Sequence, residues 1–285
     1  MARAADASHR AGHGAASRNR VADRAVSEFV LRTENLTKRF GGLIAVDKLS
    51  FNLAGGRLHA IIGPNGAGKT TFFNLISGLL TSDGGRVFFH EREITGLKPH
   101  QISRLGIKRT LQIKSVFPQL SVADNLWITG FAGQRFLNPF RAASGDRDTR
   151  EKVERTLEQI GLTALARRQA GTLSYGDVAL LEIGMALISE PRLLLLDEPT
   201  CGMSPAETER AVTKIQELAQ VIDIIIIEHD MEVVFEIADD ITVMAQGAIL
   251  ASGSPEKIAA DERVREAYLG REEDEDYVEE EEVHA

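Results

Sequence analysis

Residues 63–70, Gly-Pro-Asn-Gly-Ala-Gly-Lys-Thr, fit the spacing G-x-x-x-x-G-K-[ST], and no other segment restricts the fold of this chain as tightly. Before it, Leu58-His59-Ala60-Ile61-Ile62 has the pattern of a short buried strand, and after it the chain reads as a helix from about Lys69 to Leu80. Strand, glycine-rich loop and helix in that order form a phosphate-binding unit. Glycines let backbone N–H groups turn inward around phosphate oxygens, the helix presents its positive N-terminus, and Lys69 adds a full charge. Thr70 supplies a hydroxyl to Mg2+. The expected nucleotide contacts are therefore Gly63, Pro64, Asn65, Gly66, Ala67, Gly68, Lys69, Thr70 and the adjoining Thr71.

A second landmark is Leu193-Leu194-Leu195-Leu196-Asp197-Glu198, a buried-strand pattern that ends in two acids. A carboxylate at the C-terminal edge of a parallel sheet can meet Mg2+, and the next residue can hold an attacking water, so Asp197 is assigned to metal and Glu198 to general base.

Around these landmarks the pattern changes twice. Val30 to Phe51 reads as two strands about a Phe40-Gly41-Gly42 turn. From Pro99 to Ile188 it is mainly helical, with candidates at 100–105, 121–130, 149–160 and 175–188 and a polar interruption at 138–148. From Arg192 strands and helices alternate, at 193–197, 205–220, 222–228, 231–238 and 241–244, before a hairpin at Gln246-Gly247 and final helices from Ser254-Pro255. The fold class is α/β, a mixed sheet core with an inserted helical subdomain at about 100–188.

Charge divides unevenly. The formal net charge of -9 splits into +3 over residues 1–27, -8 over residues 271–285 and -4 over the body, so the body is only mildly acidic and no nucleic acid partner is expected. Residues 1–27 read as a disordered arm and 271–285 as an acidic disordered tail. The longest apolar runs are far shorter than the ~20 residues that span a bilayer, and no secretory signal is expected at the N-terminus. Cys201 is the only cysteine, which excludes an internal disulfide and argues against a cysteine-based zinc site; it is expected as a packed small residue.

About residues 29–270 resemble the nucleotide-binding subunits of ABC transporters, a P-loop NTPase family. Leu173-Ser174-Tyr175-Gly176-Asp177 resembles the ABC signature, Gln112 falls at the Q-loop glutamine, His229 at the switch histidine, and Phe40 where an aromatic residue stacks on adenine. The resemblance implies that Ser174 and Gly176, ahead of a helix, bind the phosphate of a nucleotide on an opposite subunit, so that two chains pair head to tail. It further implies that Gln112 offers an oxygen to Mg2+ or the attacking water, and that His229 bonds the γ-phosphate and orients Glu198. Two departures stand out: Asp177 puts an acid where the family usually has Gln or Glu, which would weaken ATP binding or require compensation from a different partner subunit, and Ser204 stands where many relatives have Asp in the segment after Glu198.

Within the family, Phe40-Gly41-Gly42-Leu43-Ile44-Ala45-Val46, Arg109-Thr110-Leu111-Gln112, Leu173-Ser174-Tyr175-Gly176, Glu228-His229-Asp230-Met231 and Ala267-Tyr268-Leu269-Gly270 look like the ATPases of branched-chain amino acid uptake systems. That resemblance implies ATP and Mg2+ as ligands and membrane permease subunits and a second ATPase subunit as partners. It also implies indirect contact with an extracytoplasmic solute-binding protein and a peripheral place on the cytoplasmic face of the inner membrane. Residues 113–160 are the expected permease-facing surface, with Val116-Phe117-Pro118 and Leu126-Trp127 as contacts. Two rival readings are a soluble ABC ATPase outside transport, or a regulatory ABC subunit with little hydrolysis. A P-loop kinase or GTPase would leave Ser174, His229 and Gln112 unexplained together.

Overall fold

A computed structural model describes residues 29–110, 116–132 and 142–269. The N-terminal arm, Gln112 and the acidic tail lie outside them. The first half runs β1 (Leu31–Phe40), β2 (Leu43–Leu49), β3 (Asn52–Leu53), β4 (Leu58–Ile62), α1 (Lys69–Ile76), β5 (Gly84–Phe89), β6 (Arg92–Glu93), α2 (Pro99–Leu105) and β7 (Ile107–Arg109). Three longer helices follow, α3 (Val122–Ala132), α4 (Ala142–Gln159) and α5 (Tyr175–Leu187). The last part alternates: β8 (Leu193–Asp197), α6 (Pro205–Ala219), β9 (Asp223–Ile227), α7 (Met231–Ile237), β10 (Asp240–Ala245), β11 (Ala248–Gly253), α8 (Pro255–Ala259) and α9 (Glu262–Leu269).

The strands form two sheets. One has the order β11-β10-β4-β9-β8-β7, with β10, β4, β9, β8 and β7 mutually parallel and β11 antiparallel at the edge. The other is antiparallel, β2-β1-β5-β6, with β3 also paired to β1. The parallel strands are apolar throughout because both of their faces are covered. Alternate residues divide between two cores. Leu58, Ala60, Ile62, Leu194, Leu196, Ile224 and Ile226 meet helices α3 to α7, whereas Ile61, Leu193, Leu195, Ile225 and Ile227 meet α1 and the antiparallel sheet.

Some expected bounds shift. α1 ends at Ile76 rather than Leu80, where the Ser77 hydroxyl turns back onto the Phe73 carbonyl at 2.6 Å. The stretch from 100 contains a strand: β7 pairs with β8 in parallel, and Ile102 and Ile107 enter the core beside α1, so α2 and β7 belong with the sheets rather than with the inserted helices. The polar residues from Ala142 to Asp148 continue α4 instead of interrupting it. Cys201 is exposed, not packed.

His59 shows what burial in this sheet does to a titratable group. It lies on β4, 5% exposed, its Nε2 2.8 Å from Thr242 Oγ1 on β10, and its ring stands edge-on to Phe51. Burial pushes its pKa from 6.5 down to about 4. Between those pH values the unfolded chain takes up a proton that the native chain refuses. Stability is therefore full above pH 6.5 and falls as the pH drops toward about 4, by on the order of 3 kcal/mol. Denaturant unfolding of a His59→Gln variant should show this loss largely removed over that window.

Candidate functional site

Parallel pairing lines up the C-terminal ends of β10, β4, β9, β8 and β7 along one edge of the sheet, where such folds bind ligands. The glycine-rich loop leaves β4 there, Asp197 and Glu198 end β8, Glu228 and His229 follow β9, and Arg109 ends β7.

The loop is held by neighbours that admit no side chain at two points. Gly63 has φ +149°, and a Cβ there would lie 2.1 Å from the Met244 carbonyl oxygen at the end of β10. Gly68 has φ +98°, and a Cβ there would lie 2.3 Å from the Ala45 carbonyl oxygen on β2. Gly68 is also the N-cap of α1 and brings no side-chain cap to its first-turn N–H groups, which makes that end a place for an anion. Lys69 Nζ donates to the carbonyls of Gly63 at 2.5 Å and Pro64 at 3.1 Å, so the ammonium lies over the loop, and the adjacent Thr70 is exposed. Pro64, Asn65, Gly66, Ala67 and Thr71 take their places on the loop and the first turn of α1.

Asp197 is buried, with its side chain fully enclosed. One oxygen, Oδ2, accepts from Arg109 Nη2 at 2.5 Å, whereas Oδ1 has no partner. An orphaned buried carboxylate oxygen at the sheet edge that also carries the glycine-rich loop fits a hard cation that keeps part of its water shell. Glu198 is half-buried and takes φ +49°, an uncommon backbone for a residue with a side chain, just before Pro199. Its N–H donates to the Ile227 carbonyl at 2.9 Å. The turn behind it is pinned by Glu228, whose enclosed carboxylate accepts from the Thr200 hydroxyl at 2.6 Å and the Thr200 N–H at 3.0 Å.

His229, at the end of the strand next to β8, is mostly exposed, with Nδ1 3.9 Å from Glu228 Oε2. Phe40 stands at the tip of the β1–β2 hairpin, 46% exposed, with Lys38 Nζ 5.5 Å from its ring centroid. The same hairpin supplies the Ala45 carbonyl against Gly68. Ser174 and Gly176 are not on this edge: Ser174 is the N-cap of α5, its Oγ accepting from Asp177 N–H at 3.3 Å, and their neighbour is α6.

A family model described as ABC transporter matches residues 46–201, more than half of the chain. The chain belongs to the ABC transporter family. A second model, described as branched-chain amino acid ATP-binding cassette transporter, matches residues 248–274 of this ABC ATPase. It is 39% identical over 255 residues to the high-affinity branched-chain amino acid transport ATP-binding protein BraF of Pseudomonas aeruginosa, covering 86% of this chain and 99% of that protein. It is 40% identical to LivG of Salmonella typhimurium, with the same coverage, and 36% identical to a probable LivG of Methanocaldococcus jannaschii, covering 85% and 97%. Among solved structures, a nucleotide-free ATP-binding cassette from an ABC transporter superposes with a TM-score of 0.74 at 34% identity, covering 84% of this chain and 98% of that one. An ABC transporter cassette in its ADP conformation gives 0.75 at 35% identity, covering 85% and 99%.

In this ABC ATPase Ser174, Gly176 and Asp177 are tied to α6. Asp177 is buried, and its Oδ1 accepts from Arg210 Nη2 on α6 at 2.5 Å, so the acid is paired within the chain. One turn earlier on α6, Glu207 Oε1 accepts from the Gly176 N–H at 3.1 Å, and Oε2 accepts from the Ser204 N–H at 3.0 Å and hydroxyl at 2.7 Å. A Cβ at Gly176 would lie 2.9 Å from that of Glu207. The Ser174 hydroxyl first, then the Ser204 hydroxyl and the N–H groups of Ser204 and Gly176, hold the Glu207 carboxyl down at about 2, from 4.5.

Sequence reasoning missed Arg109, Glu207, Arg210 and the buried role of Glu228, and each acts on a residue far away in the chain. The only local signal is for Glu207, third after Ser204 in a capping box with Pro205 at the helix start. Its depressed pKa makes a prediction. The stability Glu207 confers is present above pH 4.5 and is lost as the pH falls toward about 2. In acid-unfolding curves, the gap between the wild type and a Glu207→Gln variant should close over that range.

Proposed function

We propose that this ABC ATPase binds ATP with Mg2+ at the edge built by Gly63–Thr70, Asp197 and Glu198, and hydrolyses it at the interface with a second ATPase subunit, the same or a homologous chain. The hydrolysis drives uptake of branched-chain amino acids, or a related small polar solute, through a membrane permease. What carries the transport reading is the likeness to branched-chain transport ATPases over 86% of the chain, together with the match of residues 248–274 to a model for that subgroup.

In this reading the residues divide the chemistry among them. Inward N–H groups of Gly63–Thr70 and the Lys69 ammonium bind the β- and γ-phosphates, and Phe40 stacks on the base. Thr70, Asp197 through Oδ1, and Gln112 are the residues that would hold Mg2+, which when bound neutralises charge on the phosphates. Glu198, fixed in its turn by Glu228 and Thr200, takes the proton of the attacking water onto its carboxylate. His229 donates to the γ-phosphate side and orients Glu198. Ser174 and the Gly176 N–H, at the positive end of α5, address the nucleotide held by the partner subunit, which makes the pairing head to tail.

Candidates for the face toward the permease come from the inserted helices. α3 and α4 border an open cleft of about 550 Å3 lined by Asp124, Trp127, Arg150, Glu154 and Arg167 among others. Trp127 and the exposed Phe117 remain candidate contacts; Leu126 is fully buried and serves the core instead. Among the described residues no helix is long and apolar enough to cross a membrane. The permease is then the anchor at the cytoplasmic face of the inner membrane, and the extracytoplasmic solute-binding protein acts through it. The retained Glu198 and His229 favour a hydrolysing subunit over a regulatory one.

Hydrolysis by the complex purified with its permease and reconstituted in vesicles tests this reading. Leucine with its binding protein should stimulate turnover, Glu198→Gln should lower kcat by about 100-fold or more while retaining nucleotide, and Lys69→Ala should lose nucleotide binding. Equal hydrolysis by the wild type and Glu198→Gln would remove Glu198 from the role of base.

A further inference from the structure

Arg109 ends the outermost parallel strand, and the chemistry above does not use it. Its side chain is 8% exposed. Nη2 donates to Asp197 Oδ2 at 2.5 Å, and Nη1 donates to Asn74 Oδ1 at 2.6 Å and reaches Ser77 Oγ at 3.3 Å. The guanidinium carbon lies 5.4 Å from the Phe73 ring centroid. Phe73 and Asn74 belong to α1 and Ser77 caps its end, and α1 begins with Lys69 and Thr70. One side chain thus ties the acid of β8 to the helix that carries the glycine-rich loop.

The pairing is one-sided. Asp197 gives Oδ2 to the guanidinium and keeps Oδ1 buried without a partner. A carboxylate enclosed in protein needs a counter-charge to remain ionised, and a planar guanidinium anchored at its other end fixes the carboxylate's orientation as well as its charge. Lysine supplies the charge without the fork.

We propose that Arg109 is a positioning residue: it clamps Asp197 through Oδ2 so that Oδ1 stays free and aimed at Mg2+ or its water, and it keeps α1, with Lys69 and Thr70, in register with that oxygen. The inference rests on the assignment of Asp197 to the metal. It also has a defined opposite. If Arg109 acted on the metal only through its positive charge, weakening the contact would tighten cation binding; acting through aim, it loosens cation binding.

The test uses full-length protein, with Mn2+ binding in the presence of a non-hydrolysable ATP analogue read by electron paramagnetic resonance, and Mg2+ titration of hydrolysis by the assembled transporter. Arg109→Lys should raise the Mn2+ dissociation constant and the half-maximal Mg2+ concentration by about tenfold, with nucleotide affinity in EDTA unchanged. Asn74→Ala, which removes the anchor but leaves the Asp197 pair, should shift both in the same direction by less, and it carries the test if Arg109→Lys does not fold. Metal binding as tight as the wild type or tighter in the folded variants would overturn the proposal. Asp197→Asn separates the two failures. If it too leaves the metal requirement unmoved, the assignment of Asp197 has failed; if it alone shifts the requirement, only the role of Arg109 has.

Discussion

A parallel sheet cannot leave a face in water, and that requirement organises this molecule. Strands β4, β8 and β9 are buried along their whole length, so helices must lie on one side and α1 with a second sheet on the other. Once the strands run the same way, their C-terminal ends coincide. The glycine-rich loop, Asp197, Glu198, His229 and Arg109 converge because each sits one step beyond, or at, the end of such a strand. The close approach of the Met244 and Ala45 carbonyls to Gly63 and Gly68 fixes the loop against two of its neighbours.

Much of this could be read from residues in order, and the limit is physical. Continuous apolar runs such as Leu193–Leu196 announce buried strands, and Ser254-Pro255 announces a helix start that the Ser254 hydroxyl caps. β5 begins with two glycines and β7 has three residues, too little pattern to show a period, so both escape. The first turns of α4 are polar and charged, which resembles a loop until the Arg147–Glu151 pair and the rest of the helix are in view. At the site, the glycine-rich loop and the acids were legible because they are contiguous. The role of Gln112 rests on its place in the sequence alone, since it lies outside the described residues.

The partners of the acids were not legible, because those partners come from distant elements. Asp197 is answered by Arg109 from β7, Asp177 by Arg210 from α6, and Glu228 by Thr200 across the edge from β8. Nothing periodic joins these pairs in the sequence. Asp177, read alone, is a charge in the wrong place; with Arg210 it becomes half of a salt bridge between α5 and α6, and the signature turn is fastened to the helix that follows Glu198 and Ser204.

Glu207 has a further consequence for how strongly that turn can grip anything. Its carboxylate already satisfies the Gly176 N–H, and the Ser174 hydroxyl donates to it as well. A phosphate at the Gly176 N–H would have to displace the Glu207 carboxylate that already occupies it. Its gain is the difference between two charge-assisted sets of hydrogen bonds, not the whole value of one. A contact made by exchange therefore gains less free energy than one made to a bare donor.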